Sequence, residues 1–389
     1  MFPLARQSIG PSDEAHVLET LRSGRLALGP RLPEFEDALS ARLRGLPVSA
    51  VSSGTAGLHL AVRAAGIEAG DEVVTTPFSF VASANCLLYE NARPVFCDID
   101  ARTLNVDPRA AAAAVGERTT GLLPVHIFGY PADMPALERL AGERGLWIVE
   151  DSCEALGAVH ADGAPVGARG NPSVFGFYPN KQITTGEGGA VVCPDAAAKE
   201  RIDSERNQGR APDMGWLDHD RLGFNYRLDD LSCALGLAQL RRLDELLADR
   251  ARVAAVYAEA LGDVEGLDLP CPDADGDRRS WFVYVVQLPH GVDRDAAVVA
   301  MGERGVDTKP YLPAIHLMSL YRERFGHREG EFPVCEDVAA RSLALPFFPE
   351  LSEGEVEQVA AALRDVIEEA QVSGFTSATN PGSPRPGGR

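Results

Sequence analysis

The chain has 389 residues, 45% of them hydrophobic and 24% charged, enough to bury a large core in roughly two or three structural units. Its net charge of −20 argues against nucleic acid as a partner, because phosphates would be repelled. A small anionic ligand is compatible with that charge, since a few local donors override the global field. The seven cysteines show no C-x-x-C and no zinc-like spacing, which points to reduced thiols in a cytoplasmic protein and to no metal. Met1-Phe-Pro-Leu-Ala-Arg precedes no apolar h-region, and no window approaches the roughly eighteen apolar residues of a membrane span.

Residues 1–27 read as an N-terminal arm. Pro11-Ser-Asp-Glu followed by Val17, Leu18 and Leu21 predicts a capped amphipathic helix. Gly29-Pro30 then breaks the chain before a second helix with Leu32, Phe35, Leu39 and Leu43 on one face. Small polar residues in Ala50-Val-Ser-Ser-Gly-Thr-Ala-Gly precede a run of helix formers, so a helix N-terminus with free N–H groups is expected there. On pattern alone this is equally well a plain N-cap, and it is no P-loop, because the Gly-Lys-Ser/Thr ending is missing. Apolar strands follow around residues 72–76, 94–99 and 122–127, each succeeded by a helical pattern. Repeated βαβ units of this kind predict an α/β fold with a mostly parallel sheet. No strand leads into Gly-x-Gly-x-x-Gly, which removes the dinucleotide-binding reading. His126 at a strand end and Cys153 without a nearby activating histidine read as structural.

The most informative stretch runs from Trp147 to Val192. Trp147-Ile-Val-Glu-Asp151 is an apolar run closed by two carboxylates. Thirty positions on, Lys181 lies between the aromatic strand Val174-Phe-Gly-Phe-Tyr178 and the turn Thr184-Thr-Gly-Glu-Gly-Gly189. Strand ends in open α/β sheets are where ligands bind. An amine there can form a Schiff base with an aldehyde cofactor, and a carboxylate can keep a pyridine nitrogen protonated. Pyridoxal 5'-phosphate (PLP) needs that pair from a protein; either residue alone would as readily be a surface lysine or a helix cap.

Beyond these, Arg206-Asn-Gln-Gly-Arg210 and Leu222-Gly-Phe-Asn-Tyr-Arg227 precede a long helix, with Arg227 suited by its fork to a carboxylate or phosphate. From about residue 250 the pattern changes to a strand at 281–288, a helix near 296–301, an extended loop from Tyr311 to Tyr321 and a last helix from Glu353 to Ala370. The expected division is an arm at 1–27, a large domain at 28–248, a small α+β domain at 249–370, and a disordered tail at 371–389 rich in Gly, Pro and Ser.

Glu150-Asp-Ser-Cys-Glu-Ala-Leu-Gly-Ala158 and Phe175-Gly-Phe-Tyr-Pro-Asn-Lys-Gln-Ile-Thr-Thr-Gly-Glu-Gly-Gly189 resemble the paired motifs of the DegT/StrS-type PLP-dependent sugar aminotransferases, and the perosamine-synthase-like members most closely. The likeness extends from about Leu28 to about Leu363. It implies fold type I, with Lys181 and Asp151 catalytic and PLP as cofactor. It implies a phosphate site at Gly54, Thr55 and Ala56, stacking by Phe80, and Glu154 near the ring oxygen. Asn225 would act from a partner chain in a homodimer. Substrate contacts would come from Tyr178, Asn180, Arg227, Tyr311 and His316. One departure is Gly176, which stands where many relatives carry a phosphate-binding serine.

The resemblance implies a ping-pong transaminase taking its amino group from L-glutamate or glutamine and delivering it to a nucleotide-linked keto-deoxy sugar at C4. An aminocyclitol aminotransferase shares the motifs, and a PLP-binding sensor is the alternative of another class. Related sugar dehydratases carry His where this chain has Lys181.

Overall fold

The computed structural model describes residues 1–211, 218–274 and 276–373. The strands of the larger unit are β1 (Val48–Val51), β2 (Glu72–Thr75), β3 (Arg93–Phe96), β4 (Thr119–Leu123), β5 (Trp147–Ile148), β6 (Glu150–Asp151), β7 (Ser173–Gly176) and β8 (Gly189–Val192). Strands β3-β2-β4-β5 pair in parallel, as do β6 and β7, while β8 runs antiparallel between β7 and β1. The segment Trp147–Asp151 fuses the two groups. Val149 and Asp151 donate their N–H groups to the carbonyls of Leu122 and Pro124, and Glu150 and Ser152 donate to Pro172 and Val174. The result is the mostly parallel α/β sheet that the βαβ pattern predicts.

Both faces of the sheet are covered, so its strands are apolar throughout. Val51, Val174 and Val191 pack into one core, while Ala50, Phe175 and Ala190 pack into another on the opposite face. On the first face lies the helix Gly54–Ala64. A Cβ on Gly57 would meet a methyl of Val174 at 2.7 Å, so this glycine sets how close the helix approaches the sheet. On the second face the helices Arg31–Arg42 and Asp230–Arg241 bury Leu32, Phe35, Leu39, Leu237 and Leu240. The Phe35 ring meets Phe177 edge-on at 5.4 Å, directly beneath the lysine loop.

The strands β9 (Tyr284–Gln287), β10 (Lys309–Pro310) and β11 (Ser342–Leu345) form a second, antiparallel sheet in the order β10-β11-β9. Tyr257, Met301 and Leu363, from the helices Leu243–Leu261, Arg294–Glu303 and Glu353–Ser373, pack against it. The helix Leu243–Leu261 changes core along its length: Leu243 and Leu246 pack with the large unit, Val253 and Tyr257 with the small one.

Two expectations are corrected here. The helix Pro11–Ser23 forms, but its apolar side is not its buried side: Leu18 and Leu21 are 44% and 52% exposed, while Asp13 and Thr20 are buried. The reason is polar pairing, since the Asp13 carboxylate accepts hydrogen bonds from Gln239 and Arg242. The last helix runs past Ala370 to Ser373; the rest of the expected tail, 374–389, lies outside the described residues. Truncation of the fully buried Phe35 to Ala is expected to cost about 3–5 kcal/mol, read as a lower denaturant midpoint with an unchanged m-value.

Candidate active site

A cavity of ≈490 Å³ opens where β6 and β7 end. Strand alternation sorts the two carboxylates of β6: Asp151 lines this cavity, while Glu150 faces away to accept from His126 and Asn171. One Asp151 oxygen accepts the Cys153 N–H at 3.1 Å, and the other accepts the Ser83 hydroxyl at 2.6 Å. Ser79 and Ser83 lie 2.7 Å apart. An ionised carboxylate only accepts, so the Ser83 proton is committed to Asp151 and Ser79 supplies the proton between the two hydroxyls.

Lys181 follows β7 in a turn closed by its own N–H to Tyr178 O. Its Nζ lies 3.7 Å from the centroid of the Phe282 ring and 3.6 Å from Oε1 of Glu154. The other Glu154 oxygen accepts the Phe128 N–H at 2.8 Å, and burial raises this carboxyl above its ordinary range. Lys181 is the one cation among the described residues lining the cavity, against the carboxylates of Asp151, Glu154 and Glu187.

The helix Gly54–Ala64 presents Gly54 and Thr55 to the cavity. The phosphate reading fails at Ala56, which is buried and has its N–H taken by the capping Ser53 hydroxyl at 3.0 Å. A Cβ on Gly54 would lie 2.9 Å from the Cys153 sulfur, and one on Gly176 would lie 3.4 Å from Cys153 Cβ. Cys153 therefore bars a side chain at Gly54, while at position 176 a Cβ would rest in ordinary contact with it. Burial pushes its thiol well above the usual range, which suits packing rather than nucleophilic work.

Phe80, Tyr178, Asn180 and Tyr311 line the same cavity, with Phe80 62% and Tyr178 53% exposed. Besides Ala56, three expected residues are absent from its walls. Asn225 is exposed and bridges Asn207 through its backbone. Arg227 donates to the side chains of Asn207 and Gln208. His316 is corrected outright: it is fully buried, bonded to Glu336 at 3.0 Å and packed edge-on to Phe332. The loop after Tyr311 turns inward through helical segments at Ile315–Leu317 and Ser319–Phe325, which carries His316 and Tyr321 into the protein.

Glu187 sits inside the glycine-rich turn and Phe282 inside the strand pattern at 281–288, and neither stands out by residue type. Ser83 has no local signal, because its partner is 68 positions away.

His126, Glu150 and His160 lie behind Asp151, their metal-capable atoms within 4.8 Å of one another. The Ala132 N–H donates to Nδ1 of His126, which puts the ring proton on Nε2 facing Glu150. A hydrogen bond joins His126 to Glu150, and the His160 ring stands edge-on to His126 at 5.6 Å.

The arrangement fits PLP chemically. A lysine amine for the aldehyde, a helix N-terminus for the phosphate and an aspartate for the ring nitrogen share one cavity, beside a buried Asn180 Oδ1 that has no hydrogen-bond partner among the described residues. Together with the sheet, this site defines a fold type I PLP-dependent enzyme. The chain belongs to the DegT/DnrJ/EryC1/StrS aminotransferase family, whose pattern matches residues 7–364. It is 35% identical over 382 residues to the spore coat polysaccharide biosynthesis protein SpsC of Bacillus subtilis (strain 168), covering 95% of this chain and 98% of that one. The structure of S. venezuelae DesV in complex with a ketimine intermediate superposes with a TM-score of 0.86 at 34% identity, covering 92% of this chain and 94% of that one. The aminotransferase TlmJ from Streptoalloteichus hindustanus gives 0.89 at 34% identity, covering 95% and 100%.

Ser83→Ala removes the donor to a carboxylate, so PLP retention is expected to weaken about tenfold in equilibrium dialysis, with the fold unchanged by circular dichroism. His160 offers a pH test. Burial, then the neighbouring His126, push its imidazole down to about 4, against an ordinary value of 6.5. Between those values the unfolded state binds more protons, so stability is full above 6.5 and is lost as pH falls toward 4. Denaturant midpoints at pH 7.5 and about 4.5 are expected to differ less in His160→Gln than in the wild type.

Proposed function

We propose that this aminotransferase transfers the amino group of L-glutamate or L-glutamine to a keto-deoxy sugar carried on a nucleotide, at C4, in two half-reactions. The observation that supports it most is the Lys181 amine, held at the ring of Phe282 and lining the same ≈490 Å³ cavity as Asp151. The polysaccharide role in the name of SpsC points the same way. Bound PLP supplies the aldehyde and the electron-accepting ring.

The protein's own residues do the rest. Lys181 Nζ would hold the cofactor and, once the incoming donor's amine has taken its place, would remove a proton from the substrate carbon and return it. A carboxylate oxygen of Asp151 holds the proton on the ring nitrogen, and the hydroxyl of Ser83 fixes that carboxylate in place. The N–H groups of Gly54 and Thr55 would receive the phosphate at the positive end of their helix. Phe80 would lie against the ring face, and Glu154 would stand near the ring oxygen, since both line the cavity. Tyr178, Asn180 and Tyr311 border the acceptor.

Phosphate and donor carboxylate add negative charge to a cavity that already holds three carboxylates and a single cation. Neutralisation requires further donors, and two lie on this chain outside its own cavity. Among the described residues the Arg227 side chain donates to two neutral amides, and Asn225 is exposed. We propose a homodimer in which Asn225 and Arg227 complete the partner's site. The exposed Leu18, Leu21, Leu28 and Leu222 supply apolar surface for such an association. In the division proposed here, residues 28–248 hold the cofactor and 249–370 close over it. No helix is long and apolar enough to cross a membrane among the described residues, which agrees with a cytoplasmic enzyme using soluble substrates.

With PLP bound, L-glutamate is expected to bleach the visible absorbance of the wild type and leave Lys181→Ala unchanged. A nucleotide-linked 4-keto-6-deoxy sugar should then restore the band. Restoration by a keto-inositol alone would move the acceptor to the cyclitols, and an unresponsive band would favour a sensor. Arg227→Ala is expected to raise the half-saturating glutamate concentration at least about tenfold.

A further inference from the structure

Arg250 lies on the helix Leu243–Leu261, is 4% exposed, and has no ion pair among the described residues. Burial pushes its guanidinium down to about 10. A cation in that position is costly unless its hydrogen bonds do something specific. Its Nη2 donates to the carbonyl of Lys181 at 2.9 Å. Its Nη1 donates to the carbonyls of Phe282 at 3.1 Å and Trp281 at 3.3 Å. The two segments it joins carry the lysine and the aromatic ring against which the lysine amine rests. Trp281 has φ +51°, the left-handed region that a bulky residue enters only when its surroundings hold it there.

We propose that Arg250 is the positioning residue of the catalytic lysine. One planar guanidinium locks the Lys181 loop and the Trp281–Phe282 turn into a single unit, so that Nζ keeps its place in the cavity. The helix bearing Arg250 also packs in both cores, so the same contact registers the lysine against the smaller unit. A lysine at this position would offer a point charge without the fork, and would span the carbonyls of two segments only in part. The proposal rests on the reading of Lys181 as the cofactor-bearing amine.

The test compares wild type, Arg250→Lys and Arg250→Met, each with added PLP. Circular dichroism and thermal melting report the fold. Stopped-flow absorbance reports how fast the visible lysine-linked band forms, and then how fast saturating L-glutamate bleaches it. Arg250→Met is expected to melt earlier, to form the band at least about tenfold more slowly, and to bleach about tenfold more slowly at saturation. Its half-saturating glutamate concentration should stay within about threefold of wild type, and Arg250→Lys should recover part of both rates. If Arg250→Met does not fold, Arg250→Lys alone decides: slower band formation and bleaching support the proposal, and wild-type rates overturn it. Wild-type rates in a folded but less stable Arg250→Met assign Arg250 to stability only and overturn it as well. Should the wild type itself form no lysine-linked band, the reading of Lys181 falls, and this proposal with it.

Discussion

The structure depends on the strand segment Trp147–Asp151, which hydrogen-bonds on both edges and fuses two groups of strands into one sheet. Side chains of a strand alternate, so two adjacent acids at its end must part company. Glu150 turns to a buried histidine and an asparagine, where hydrogen bonds from His126 hold its carboxyl below the ordinary range despite burial. Asp151 turns to the cavity, steadied by one backbone amide and one serine hydroxyl. The neighbouring strand β7 ends at the same level and feeds the lysine loop. Sheet geometry thus brings an acid and an amine thirty positions apart to one cavity.

Charge is the second constraint. A protein with net charge −20 that binds the phosphate of PLP must supply local donors. Here the N-terminus of the helix Gly54–Ala64 supplies backbone N–H groups, and Lys181 supplies one cation. Packing does not explain the departure at Gly176, because a Cβ there would meet Cys153 only at ordinary contact distance. The deficit of positive charge in each cavity is the physical reason to look to a second copy for Asn225 and Arg227.

Much of this was legible in the sequence because it is written locally. Lys181, Asp151, Phe80, Glu154, Tyr178, Asn180 and Tyr311 sit in short motifs and reach the cavity together. Ala56 was misread because a helix N-terminus does not reveal which of its N–H groups the cap consumes, and here Ser53 takes that one. His316 was misread because a loop with proline and histidine looks open in sequence, whereas this one folds inward onto Glu336 and Phe332. The first helix shows the same limit from the other side, since its inward face is chosen by the Asp13 pairing with Arg242 and Gln239. Ser83 and Arg250 act on the site across 68 and 69 positions, and no local pattern could have marked them.

The most direct test of the central claim is to load the protein with PLP, reduce it with borohydride, digest it and map the modified peptide by mass spectrometry. The account predicts one stable adduct, on Lys181, which disappears when L-glutamate is added before reduction. An adduct on another lysine, or an adduct on Lys181 that glutamate leaves untouched, would contradict it.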